Sequence, residues 1–236
     1  MKKKTLKKFV SLVIAAVVII GGYIFSDQNG VLPPDTQQSV VQSSISKNSE
    51  TYAFDKLERT TFPESIVKTQ KEGISPFGYI SASVTKVTDG DTFHIKYDNQ
   101  AYKVRMLDVD TPESVKSNVE PQPFSAEASN LTKELLTGKE VKLIFEKDTA
   151  DQFDRLLAHV ILEDGTYYNA LLIQNGFAIS TFYSPNTLMK DYFLELQSEA
   201  IENKVGFWQL PESKRPFIQD SKGKFVAAYK LKADAA

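Results

Sequence analysis

The sequence predicts an α+β protein: a small five-stranded β-barrel of the OB type with about three helices packed on it, preceded by an N-terminal hydrophobic helix and a linker. Three observations predict it. Between Tyr79 and Leu162, five short runs are rich in β-branched and aromatic residues or alternate apolar with polar ones. Helical periodicity interrupts that series once and follows it twice. No internal repeat divides the chain.

The elements follow in order. YISASVTKV, TFHIKY and AYKVRML read as strands, with Asp98-Asn99-Gln100 a hairpin turn between the last two. A helical run extends from about Pro123 to Leu136 and is ended by Gly138. EVKLIF and LLAHVIL supply two more strands. YYNALLIQNG reads as a short helix with Gly176 as its C-terminal stop. A longer helix covers TLMKDYFLELQSEAIENKVG, with Leu188, Tyr192, Leu196 and Ala200 on one face and Gly206 past its end. This places one domain over residues 78–208, followed by a basic extension, 209–236, expected to lie on the surface.

The segment before the domain differs in kind. Five lysines precede an uncharged run from Phe9 to Phe25. That pattern predicts an export segment, residues 1–26, with the lysines retained in the cytoplasm. The run approaches the roughly 20 residues a spanning helix needs, and no Ala-x-Ala cleavage site follows it. An uncleaved membrane anchor carrying an extracellular domain is therefore expected, with a cleaved signal as the alternative. Residues 27–51 are Ser- and Gln-rich and read as a disordered spacer; 52–77 show no sustained period and are grouped with it as linker.

Composition narrows the chemistry. The chain has no cysteine, so disulfides and thiolate metal sites are excluded. Its two histidines, His94 and His159, give little basis for His-rich zinc chemistry or a nucleophile–histidine triad, and each reads as structural or surface. A hard cation held by carboxylates remains open. Between Tyr79 and Trp208 the chain carries 12 basic and 20 acidic residues. Such a body is a poor general trap for polyanions, so a nucleic-acid site must be local or bring its own cation.

Two short stretches concentrate the chemistry. In VTDGDTFHI, Asp89-Gly90 is a turn dipeptide, but Asp91 stands where the next strand should already be burying something. In VRMLDVDTPE, Arg105 lies within a strand and Asp110-Thr111-Pro112-Glu113 ends it, since Pro112 cannot donate to a sheet. Taken singly, each has a structural explanation: a turn, a paired strand arginine, a strand exit.

Taken together, DGDT, R…VDTPE, EAS, DR, NALLIQNGFA, YSPN and GFW resemble the staphylococcal nuclease (thermonuclease) family, from about Ile80 to Trp208. The resemblance implies an enzyme that cleaves the 5′ P–O bond of DNA or RNA, leaving 3′-phosphate ends. It implies a Ca²⁺ cofactor with Asp91 and Asp110 as carboxylate ligands and the Thr111 carbonyl as a third. Arg105 and Arg155 would form the phosphate clamp, since a guanidinium can grip two phosphate oxygens at once. Glu113 stands in the place of the general base that deprotonates or orients the attacking water. Phe153 and Tyr183 match substrate-binding positions. The chain departs from the family pattern at Gln152-Phe153-Asp154, at Thr181 and at Asp108, which bears on substrate affinity. No obligate protein partner is implied. The rival expectation is a catalytically silent OB-type surface module that binds nucleic acid or a wall polymer.

Overall fold

The computed structural model of the protein describes residues 56–63, 65, 71–114 and 120–234. The chain divides between Thr51 and Tyr52. The expected anchor and the spacer up to residue 51 lie outside the described residues. No described helix is long and apolar enough to cross a membrane.

Five strands close into a barrel. β1 (Tyr79–Val87), β2 (Thr92–Tyr97) and β3 (Gln100–Met106) form an antiparallel meander. A two-residue strand, β4 (Val109–Asp110), follows. Helix α1 (Ser125–Leu136) leads to β5 (Glu140–Ile144) and β6 (Leu156–Leu162). The barrel order is β1-β2-β3-β6-β5, with β3 and β6 the one parallel seam. This is the expected five-stranded α+β barrel.

Local chemistry explains the strands. The turn between β2 and β3 has positive φ at both Asp98 (48°) and Asn99 (59°), the two-residue hairpin geometry these residues tolerate best. A bulge between Val84 and Lys86 adds curvature to the longest strand, as closure requires. Ile80, Ala82, Val84, Phe93, Ile95 and Val104 alternate into the interior. In β6 the alternation fails, because the strand is buried on both faces and His159 and Ile161 are covered as well.

Helix α2 (Tyr168–Gln174), strand β7 (Ile179–Ser180) and helix α3 (Lys190–Glu202) complete the domain, with β7 paired to β4. Gly176 and Gly206 interlock at the ends of the two helices. Both have positive φ, and a Cβ on either would meet the other turn's carbonyl oxygen at 2.2–2.3 Å. Glycine stops α2 where expected, and close backbone approach requires it there.

Two segments are more ordered than expected. Within the stretch read as linker, Thr61 pairs with Thr166, the Tyr167 N–H donates to the Thr60 carbonyl at 2.7 Å, and Phe62 is buried against Tyr167. The C-terminal extension folds as a hairpin, β8 (Phe217–Gln219) and β9 (Phe225–Ala227), followed by α4 (Ala228–Asp234). Phe217 and Ala227 join Phe207 and Trp208 in a second apolar cluster, so this extension is packed into the domain. Each fully buried aromatic of this kind is worth about 1.5–3 kcal/mol of removal from water.

Candidate active site

The bend between β1 and β2 brings the first carboxylates together. The Thr88 and Asp89 N–H groups both donate to the Thr92 carbonyl, which turns the chain tightly. Asp91 is buried just beyond. Its Oδ2 accepts from the Thr111 N–H (3.0 Å) and hydroxyl (3.1 Å), and its Oδ1 accepts from Thr92 Oγ1 (2.9 Å). Gly90 is required by proximity rather than by its φ: a Cβ there would meet the Thr111 side chain at 2.8 Å. Thr132 of α1 donates to the Gly90 carbonyl at 2.7 Å, fixing the bend from the other side. Gly90→Ala is therefore expected to push Thr111 off Asp91. Activity should fall at least about tenfold, with a stability loss of about 1–3 kcal/mol, the usual cost of overpacking. Full activity together with an unchanged melting temperature would contradict this.

Arg105 projects from β3 between two carboxylates. Its Nη1 is 2.9 Å from Asp91 and its Nη2 3.1 Å from Asp110, while Nη1 also donates to the Val109 carbonyl at 2.8 Å. The side chain is 16 % exposed. Burial works against its charge, but Asp91, Asp110 and Asp89 outweigh it and push its pKa up. Asp89 proves to be more than a turn residue. Burial first, then the charge of Asp91, raises its pKa to about 7. Burial also raises Asp110, and with Arg105 pulling down and Asp91 pushing up it reaches about 6. Three carboxylates thus share one guanidinium, and two of them hold their protons more tightly than an ordinary carboxylate does. Lys230, from the C-terminal helix, adds a weaker positive influence on Asp110. Glu113 also acts electrostatically on Asp110, and its backbone is clamped at both N–H and C=O by Gln122.

The second arginine faces the same space. A cavity of about 610 Å³ is lined by Arg105, Asp108, Phe153, Arg155, Tyr183 and Asn186, among others. Phe153 and Tyr183 stand at it as exposed aromatics, 69 % and 71 % accessible. Asn186 holds the Tyr183 loop to the β5–β6 connection by donating to the Asp148 carbonyl (2.8 Å) and accepting from its N–H (2.9 Å). The acid that engages Arg155 is Asp151, at 2.6–2.7 Å from Nη2 and Nε, rather than the neighbouring Asp154. Asp151 also accepts from the Arg155 and Phe153 N–H groups. Burial pushes its carboxyl up, but the Arg155 side chain first, then these two N–H groups, outweigh it and hold the carboxyl below the usual range. The sequence carried no signal for Asp151, because its role depends on the loop closing back on itself.

His159 is fully buried, with Nδ1 2.7 Å from the Tyr167 hydroxyl and Nε2 3.0 Å from Glu146 Oε1. That agrees with a structural role. Asp108 turns inward at positive φ (62°) and is 4 % exposed, and burial followed by the charge of Glu146 raises its pKa to about 8.

The structure therefore gathers Asp91, Arg105, Asp110 and Thr111 into one bonded group. It sets Glu113 within electrostatic reach of Asp110, and places Phe153, Arg155 and Tyr183 with Arg105 around one cavity. The sequence profile of the family described as staphylococcal nuclease homologue matches residues 103–210. A thermonuclease of Staphylococcus intermedius is 39 % identical over 126 residues, covering 53 % of this chain and 74 % of the relative. The chain belongs to the staphylococcal nuclease family. A second thermonuclease, from Staphylococcus hyicus, is 36 % identical over 136 residues, covering 58 % of this chain and 80 % of that protein. Endonuclease YncB of Bacillus subtilis is 36 % identical over 131 residues, covering 55 % and 62 %. The staphylococcal nuclease profile match takes in Arg105, Asp110, Glu113 and Arg155, and it ends before the β8–β9 hairpin.

Proposed function

We propose that this protein is a Ca²⁺-dependent nuclease of low sequence specificity that hydrolyses DNA, and RNA as a second substrate, to 3′-phosphate products. The observation that carries this reading is the placement of two arginines, Arg105 and Arg155, on one cavity beside a cluster of carboxylates. The names of its relatives, thermonuclease and endonuclease, support the same reaction class.

The donor set fits calcium. Asp91, Asp110 and the Thr111 carbonyl offer only oxygen, the ligand type a hard cation prefers, and Asp89 stands beside them, accepting from the Asp91 N–H at 3.3 Å. Burial first, and the charge of Asp91 after it, raise Asp89 and Asp110, so a cation bound beside them would favour their ionised forms. Bound calcium would supply positive charge to the scissile phosphate and to the charge that develops on it. The remaining work falls to the protein. Arg105 and Arg155 grip phosphate oxygens and stabilise the additional charge of the pentacoordinate transition state. To do so, each must exchange an existing carboxylate partner for phosphate. Glu113 takes a proton from the attacking water or orients it. Phe153 and Tyr183 stack on sugars or bases, a contact available to every nucleotide and hence indifferent to sequence.

Metal dependence and pH test this together. Cleavage of DNA should require added Ca²⁺ and disappear in excess chelator. Protons compete for the same carboxylates, so calcium affinity should rise with pH up to about 7 and flatten above it. The sign for stability is opposite in the metal-free protein. A carboxyl whose folded pKa is raised binds protons better folded than unfolded, so stability falls as pH rises from about 4 to 7. Calcium should therefore raise the melting temperature more at pH 8 than at pH 5. Undiminished cleavage in chelator would exclude the metal mechanism, and folded protein that never digests nucleic acid with Ca²⁺ would favour the silent module.

The same reading places the protein at the membrane through its basic and apolar N-terminal segment, with the nuclease domain outside the cytoplasm. The full-length chain should sediment with membranes. A shortened form found only in the medium would indicate a cleaved signal instead.

A further inference from the structure

Behind the cavity lies a cluster that the proposed reaction does not use. Asp108, Glu146 and His159 each offer one ligand atom, all within 4.8 Å of one another, and all three residues are buried. Asp108 Oδ2 is buried with no hydrogen-bond partner among the described residues. Among the described residues, the Glu146 carboxylate is engaged by the His159 ring and, through Oε2, by the Leu188 N–H at 3.1 Å. Neither carboxylate is paired with a lysine or arginine among the described residues. Two carboxyl groups buried side by side, one of them with an oxygen that no hydrogen bond satisfies, form a costly arrangement that a bound cation would relieve.

We propose that Asp108, Glu146 and His159 form a buried binding site for one divalent transition-metal ion of the Zn²⁺ type, adjoining the active-site cavity. The donors decide the class of metal. One imidazole and two carboxylates suit Zn²⁺ and its neighbours, whereas Ca²⁺ and Mg²⁺ prefer oxygen alone. Spacing agrees, since the 3.0 Å between His159 Nε2 and Glu146 Oε1 is close to that of adjacent ligands on an ion with bonds of about 2.1 Å. The second ring nitrogen already has its orienting partner in the Tyr167 hydroxyl, as metal-bound histidines usually do. Entry is available because Asp108 lines the cavity. Occupancy would tie together three parts of the substrate site. Asp108 sits between Arg105 and Asp110, its carbonyl receives the Thr181 N–H, and Glu146 holds the Leu188 end of the Tyr183 loop.

The test is zinc binding by the purified full chain carrying Asp91→Asn, which disables the proposed calcium site. Equilibrium dialysis with Zn²⁺ should give one ion per chain. Millimolar Ca²⁺ should not displace it, and X-ray absorption should show one imidazole among oxygen ligands. Adding Asp108→Asn should weaken zinc binding by more than about 100-fold, since even residues that only orient a ligand cost 10–100-fold. It should also abolish the zinc-induced rise in melting temperature. Glu146→Gln should do the same, should Asp108→Asn fold poorly. Absence of zinc uptake, uptake unchanged by both variants, or displacement by Ca²⁺ would overturn the proposal. The carboxyls would then be sharing a proton. Failure of the calcium reading would leave this result untouched, because activity is not the readout.

Discussion

Arg105→Ala should lower turnover by about 10²–10³-fold, the usual cost of removing one contact to transition-state charge. The geometry adds a second effect. Arg105 is the cation between Asp91 and Asp110, at 2.9 and 3.1 Å, and Asp89 lies close enough to share it. Without it, only the weaker influence of Lys230 on Asp110 opposes the mutual repulsion of the three carboxylates among the described residues. The metal-free variant should therefore melt earlier than the parent at pH 8, and added Ca²⁺ should recover most of the loss. Arg105→Lys restores a charge but not the planar fork, so it should rescue stability more than rate. Arg155→Ala should cost a similar factor in rate with little change in stability, because its partner Asp151 lies in an exposed loop at the cavity edge. Turnover and thermal melting of the three variants, with and without Ca²⁺, separate these outcomes. An Arg105→Ala enzyme within tenfold of the parent would remove the clamp assignment.

Glu113→Gln should cut the chemical step by about 10²–10⁴-fold, the range for loss of a positioned acid–base group. Glutamine has nearly the same shape, and the backbone at this position is held by Gln122 through bonds to both its N–H and its C=O. The loop should therefore keep its place. Calcium affinity should be largely retained, and loss of the Glu113 charge beside Asp110 should relieve some repulsion there. Single-turnover cleavage at saturating Ca²⁺, paired with a calcium titration, gives both quantities. Near-normal single-turnover rates would show that another group handles the proton.

The site was partly legible because some of its contacts are local. Arg105, Asp110 and Thr111 lie within seven residues on one strand and its exit, so proline chemistry and strand alternation already place them together. Asp89 reads only as a turn residue for the same local reason, and the tight turn is there, with the Asp89 N–H donating to the Thr92 carbonyl. Asp-Gly is a turn signal wherever it occurs, and the sequence cannot reveal that burial would raise the carboxyl to about 7.

The sequence by itself determined the barrel strands, the Asp98-Asn99 hairpin, the glycine stops and the motifs that carry the family resemblance. All of these follow from side-chain period and backbone preference over a few residues. Only the tertiary structure decided that Thr60 to Phe62 dock on the barrel, that the C-terminal hairpin joins the Trp208 cluster, and that Asp151 rather than Asp154 engages Arg155. It also decided that Asp108, Glu146 and His159 converge. Those three come from a turn and two separate strand regions, 38 and 13 residues apart along the chain. Their meeting depends on barrel closure and on α2 and α3 covering β6, which bury the groups together and withdraw from them the water that would otherwise satisfy their charge.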